Sequence, residues 1–112
     1  MIDEPTFRRQ SDSALEALKQ SLIAAEATYG TFEFEDNNGV MNIIFEDGSS
    51  KFVITPNTPI RQIWISAQAT SYKLDWSPQA LAFVLAKTGE ALKPLTQRLL
   101  QEHLSDSSIT LP

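Results

Sequence analysis

The sequence predicts an α+β fold. We expect a two-layer α/β sandwich in the order helix, five to six antiparallel strands, helix, with one sheet face left open. Three observations predict it. Apolar residues recur at helical spacing near both ends of the 112-residue chain and alternate with period two between them. All four glycines (Gly30, Gly39, Gly48 and Gly89) fall between those segments. Two helices, one at each end, can cover only one face of such a sheet.

The first helix opens at Asp3 or Glu4, either of which can cap it. Pro5 is tolerated in the first turn because its missing N–H would have no intrahelical partner there. Phe7, Ser11, Ala14, Leu15, Leu18, Leu22 and Ala25 then mark one apolar face, and Gly30 closes the helix after Tyr29. In Thr31–Asp36 both phenylalanines fall on one face and both glutamates on the other. Asn37-Asn38-Gly39 favours a tight hairpin into a second strand, Val40–Phe45. Asp47-Gly48 turns into a third, Lys51–Thr55, and Pro56 and Pro59 bracket a rigid crossing into the next strand.

That fourth strand carries Gln62-Ile63-Trp64-Ile65-Ser66. With the two isoleucines inward, Trp64 stands on the open face. Tyr72–Trp76 is expected as a fifth strand and Leu81–Ala86 as a sixth. Thr88-Gly89 turns into the second helix, which begins near Glu90 or Ala91, keeps Pro94 in its first turn and carries Leu92, Leu95, Leu99 and Leu100 on one side. Ile109 and Leu111 can tuck back onto the helices. Residues 1–112 read as a single domain, without repeats or a linker.

Composition narrows the function. Fourteen acids against nine bases give a net charge of -5, which argues against nucleic acid and anionic membrane as partners. With no cysteine, disulfides and thiolate metal sites are excluded, and a lone histidine, His103, excludes a His-rich metal centre. No apolar run approaches the roughly 20 residues of a spanning helix. The acidic opening Met1-Ile2-Asp3-Glu4-Pro5 is unlike a signal or transit sequence. These features lead us to expect a cytoplasmic protein, and a mature organellar form would look the same. His103, near the end of the second helix, is read as a cationic partner of the helix dipole. No spacing marks a nucleophile–base pair and no Gly-rich phosphate loop is present.

Strand parity places Ile44, Val53, Thr55, Gln62 and Trp64 on the open face, with Asn57 in the adjoining turn. A contiguous patch of apolar and amide side chains centred on tryptophan suits a protein partner. Ordinary cross-strand pairing is the competing explanation.

Pro59-x-x-Gln62-Ile63-Trp64-Ile65-Ser66 resembles the central signature of the frataxin family in its bacterial form. The resemblance runs over nearly the whole chain, from Asp3-Glu4 through Gly39-Val40-Met41 and Tyr72–Trp76 to Gly89. It implies a non-enzymatic accessory protein of iron–sulfur cluster assembly. Such a protein docks on the cysteine desulfurase and scaffold complex through the sheet face, regulates sulfur transfer and binds iron weakly. Three departures stand out: Thr55 and Asn57 replace an Asn-x-Gln pair, and Phe83 stands where other members carry a sixth-strand tryptophan.

Iron would be held by carboxylate oxygens in a loose, exchangeable site. The candidate ligands are Asp3, Glu4, Asp12 and Glu16 on the first helix and Glu33, Glu35 and Asp36 on the first strand. Lys19, Gln20, Ile23 and Ala24 occupy positions where relatives carry much of their acidic ridge, so iron binding is expected to be weaker than in acid-rich relatives. We expect a monomer. Two other functions compete: a small acidic protein-binding chaperone, usually dimeric, and an iron-oxidising ferroxidase.

Overall fold

In the computed structural model, which describes residues 2–112, helix α1 spans Glu4–Tyr29. Its start and stop are chemical. The Asp3 side chain accepts a hydrogen bond from the Thr6 N–H at 2.9 Å, and Gly30 adopts the left-handed conformation while its N–H reaches the Glu26 carbonyl. Phe7, Ser11, Leu18, Ser21, Leu22 and Ala25 are buried on one side of the helix.

Six strands follow: β1 (Phe32–Asn37), β2 (Val40–Phe45), β3 (Phe52–Asn57), β4 (Gln62–Ala67), β5 (Thr70–Ser77) and β6 (Ala82–Val84). Helix α2 spans Leu92–Leu104. Each strand pairs antiparallel with its sequence neighbour, so the sheet is a meander in the order β1-β2-β3-β4-β5-β6. The fold matches the expectation from sequence, including the burial parity. Met41, Ile43, Phe45, Phe52, Ile54, Ile63 and Ile65 are all buried against the helices. Leu92, Leu95, Leu99 and Leu100 of α2 close the same layer. No helix among the described residues is long and apolar enough to cross a membrane.

Several boundaries differ from the sequence reading. The third strand does not stop at Thr55; Pro56 and Asn57 continue it, so Asn57 lies opposite Gln62 in the ladder rather than in a turn. Pro56 is tolerated because the β2 pairing has ended at Ile54, where the missing N–H has no neighbour to lose. Between β3 and β4 the chain makes one 3-10 turn, Thr58–Ile60, and Arg61 takes a left-handed conformation with φ 57°. Its guanidinium donates back to the Thr58 and Pro59 carbonyls.

The sixth strand is three residues rather than six. Leu81 is left-handed and exposed, and beyond Val84 the chain folds over so that the Leu85 N–H reaches the Glu90 carbonyl. Phe83 is buried on the helix side, edge-on to both Phe7 and Trp76. Phe83 is therefore part of the core and takes nothing from the open face.

His103 does more than sit at a helix end. Its ring stacks on Phe45 with centroids 3.9 Å apart, and its Nε2 lies 2.7 Å from the Ser49 hydroxyl. Ser49 in turn donates to Asp47, whose carboxyl is held below its usual range by the Ser49 hydroxyl and amide and by the nearby imidazole. This contact ties the end of α2 to the β2–β3 loop.

Candidate functional site

The open face is built by parity. Because β3 and β4 pair as Thr55↔Trp64 and Asn57↔Gln62, four of the six sequence-predicted docking residues form two adjacent cross-strand pairs. Val53 lies on the same face beside them, opposite Asn42 on one side and Ser66 on the other. Ile44 is on that face too but one strand further out, opposite Glu33. Ile44, Val53, Thr55, Asn57, Gln62 and Trp64 are all half-buried, as expected for side chains standing on a sheet with no layer above them.

The Trp64 indole is held from two directions. Its Nε1–H donates to the Gln62 Oε1 at 2.8 Å, and the Gln62 Nε2 donates to the Asp75 carboxylate at 3.0 Å. Lys73, opposite Trp64 in the ladder, places its ammonium 4.9 Å from the ring centroid. Lys73 and Asp75 were missed from sequence. Tyr72, Leu74 and Trp76 alternate as the inward set of β5, which already puts Lys73 and Asp75 outward. Finding which β4 residues they oppose requires the β4–β5 register.

The seven candidate acids do not form one site. Asp3 and Glu4 lie at the start of α1, where Asp3 serves as the helix cap. The Thr6 hydrogen bonds hold the Asp3 carboxyl below its usual range. Glu4 faces Arg8 at 3.2 Å and Arg61 at 3.9 Å. Asp12, Glu16 and Asp36 line a groove of about 250 Å³ between α1 and the β1–β2 hairpin, together with Lys19, Met41 and Pro56. There Lys19 pairs with Asp36 at 3.2 Å, and Glu16 accepts from Gln20. Glu33 and Glu35 point to the open face, away from that groove, because Asp36 has the opposite strand parity. Among the described residues no three acids or histidines converge on one point where an ion could sit.

Comparison with known proteins agrees with the fold and its length. A family model described as a frataxin-like domain matches residues 1–106. The chain is 22% identical over 105 residues to the iron-sulfur cluster assembly protein CyaY of Pseudomonas entomophila, covering 94% of this chain and 92% of that one. It is 26% identical over 110 residues to the protein of the same name from Vibrio cholerae, covering 94% and 95%. Among solved structures it is similar to the frataxin of Psychromonas ingrahamii, with a TM-score of 0.73, 15% identity, and coverage of 98% of this chain and 96% of the other. With a family model that spans nearly its whole length, this chain belongs to the frataxin-like family.

Proposed function

We propose that this protein is a non-enzymatic accessory factor of iron–sulfur cluster assembly. It docks on a cysteine desulfurase–scaffold assembly through the open sheet face and the acidic edge, and there regulates sulfur transfer. The family supports the pathway, since the relatives are named iron-sulfur cluster assembly proteins over nearly their full length. The observation that carries the docking reading is the state of Trp64. A large aromatic ring stands on an uncovered sheet face, its N–H already bonded to Gln62. A satisfied donor on a fixed aromatic ring leaves an apolar surface ready to be covered, the usual make-up of an interface hot spot.

Glu33 and Glu35 sit on the same face toward the β1 edge, so one surface combines an apolar centre with an acidic margin. That margin complements a basic partner and makes association salt-sensitive. Iron in this reading is an exchangeable cargo rather than a resident cofactor. The acids are spread over three places, and two of them, Glu4 and Asp36, are engaged by Arg8 and Arg61 and by Lys19 respectively, which supports weak binding. We take the working form as a cytoplasmic monomer.

The test is capture of the host's cysteine desulfurase and scaffold by the wild-type protein and by Trp64→Ala. The docking reading expects retention by wild type and loss with the variant. No capture by either would refute the docking role; equal capture by both would remove Trp64 as its anchor.

A further inference from the structure

Gln62 stands between two polar groups on the open face, the Trp64 indole and the Asp75 carboxylate. A side-chain amide is both donor and acceptor, and turning it over exchanges the two ends at little cost. Its neighbours are not ambivalent. The Trp64 indole N–H can only donate, and an ionised Asp75 carboxylate can only accept. The contacts are Gln62 Nε2 to Asp75 Oδ1 at 3.0 Å and Trp64 Nε1 to Gln62 Oε1 at 2.8 Å. Donors therefore run in one direction, from tryptophan through glutamine to aspartate, and the reversed amide would set donor against donor at the indole.

The backbone fixes this order. Gln62 and Asp75 are direct cross-strand partners, and Trp64 lies two residues along β4 on the same face. Lys73, the β5 residue opposite Trp64, lies over the indole ring. Asp75 is exposed and makes no ion pair within 4.0 Å among the described residues; its partner on this face is the Gln62 amide.

We infer that Asp75 is a positioning residue of the docking face. It orients the Gln62 amide, and through it holds the Trp64 indole in one rotamer with its N–H withheld from any partner. This inference rests on the docking reading for its purpose but not for its geometry. It also constrains what covers Trp64. With the N–H committed and Lys73 over the ring, a partner meets the indole through the ring surface that Lys73 leaves free rather than through a hydrogen bond to the N–H, and a ring held in place beforehand loses less freedom on binding.

The test uses the intact ¹⁵N-labelled chain. There are two tryptophans, so loss of one indole resonance in Trp64→Phe identifies the signal of Trp64, and the Trp76 signal reports the core. In Asp75→Ala, exchange of the Trp64 indole hydrogen with solvent is expected to rise on the order of tenfold, as for a lost hydrogen-bond support, with the Trp76 signal unmoved. Gln62→Ala should do the same. Asp75→Asn retains an oxygen acceptor and should stay within about twofold of wild type. An unshifted, equally protected indole in Asp75→Ala overturns the proposal, and so does failure of Asp75→Asn to restore protection.

Affinity for the desulfurase–scaffold assembly should follow the same order, falling several-fold in Asp75→Ala and recovering in Asp75→Asn. If wild type does not bind that assembly, the docking reading falls, while the indole measurement still decides the role of Asp75.

Discussion

The Lys19 ammonium lies 3.2 Å from the Asp36 carboxylate, in the groove that Asp12 and Glu16 also line. A tethered cation thus stands in a groove whose other charged lining residues are the acids Asp12 and Glu16. Removing it should strengthen cation binding in the groove. For Lys19→Gln we expect affinity for Fe²⁺ or Mn²⁺ to rise on the order of tenfold, from a unit charge a few ångströms away in a largely solvated site. Lys19→Arg should leave it unchanged. Anaerobic calorimetric titration checks this, and equal affinities for wild type and Lys19→Gln would show that Lys19 does not control the groove.

The segment after α2 is held on the helices and should contribute strongly to stability. Ile109 and Leu111 are buried, and the Tyr29 hydroxyl donates to the Ser108 carbonyl and accepts from the Thr110 N–H. Leu111→Ala should cost about 2–3 kcal/mol and Tyr29→Phe about 1 kcal/mol, measured from urea unfolding midpoints. Docking should be unaffected, because this segment lies on the helix side.

The β4–β5 hairpin is closed by Gln68 and Ala69, both left-handed at φ 54° and 62°. Neither residue favours that conformation, whereas Asn-Gly suits a two-residue hairpin. The double substitution Gln68→Asn, Ala69→Gly should stabilise the fold by about 1 kcal/mol and raise the melting temperature by several degrees. A lower melting temperature would mean that the present turn carries no strain.

Acid should destabilise the protein through identifiable carboxyls. Asp3, Asp47, Glu90 and Asp106 are all held below their ordinary values of 3.8 or 4.5, chiefly by hydrogen bonds from Thr6, Ser49, Arg98 and Ser108 respectively. Each binds its proton less readily folded than unfolded. Their stabilising contribution is therefore complete above the ordinary carboxylate range and is lost as pH falls through their folded values. Unfolding midpoints should hold steady from neutral pH down to about pH 5 and then fall. Glu90→Gln, which breaks the two-pronged contact with Arg98, should lower the plateau and flatten the decline.

Much of this molecule is legible in the order of its residues. Asp3 and Pro5 announce the start of α1, and Gly30 announces its end. The spacing of Phe7, Leu18, Leu22 and Ala25 gives its buried face. Alternation in Met41–Phe45, Phe52–Ile54 and Ile63–Ile65 settles which strand residues face the helices, and so places Trp64, Gln62 and Thr55 on the open side. These are local properties: a helix repeats every 3.6 residues and a strand every two, so one buried residue determines the facing of its neighbours.

Other features depend on register and on approach from a distance. The turn at Gln68-Ala69 carries no glycine or asparagine, so nothing local announces the hairpin that sets Trp64 opposite Lys73 and Gln62 opposite Asp75. Glu33, Glu35 and Asp36 are neighbours in sequence, yet the strand sends the third to the opposite face, where α1 presents Lys19. The sequence alone determined the family, the layers and the face on which Trp64 stands. Only the tertiary structure decided what holds Trp64 and what neutralises Asp36. Hydrogen bonds and ion pairs act over a few ångströms, and residues far apart in the chain reach that distance only when the sheet and helices have packed.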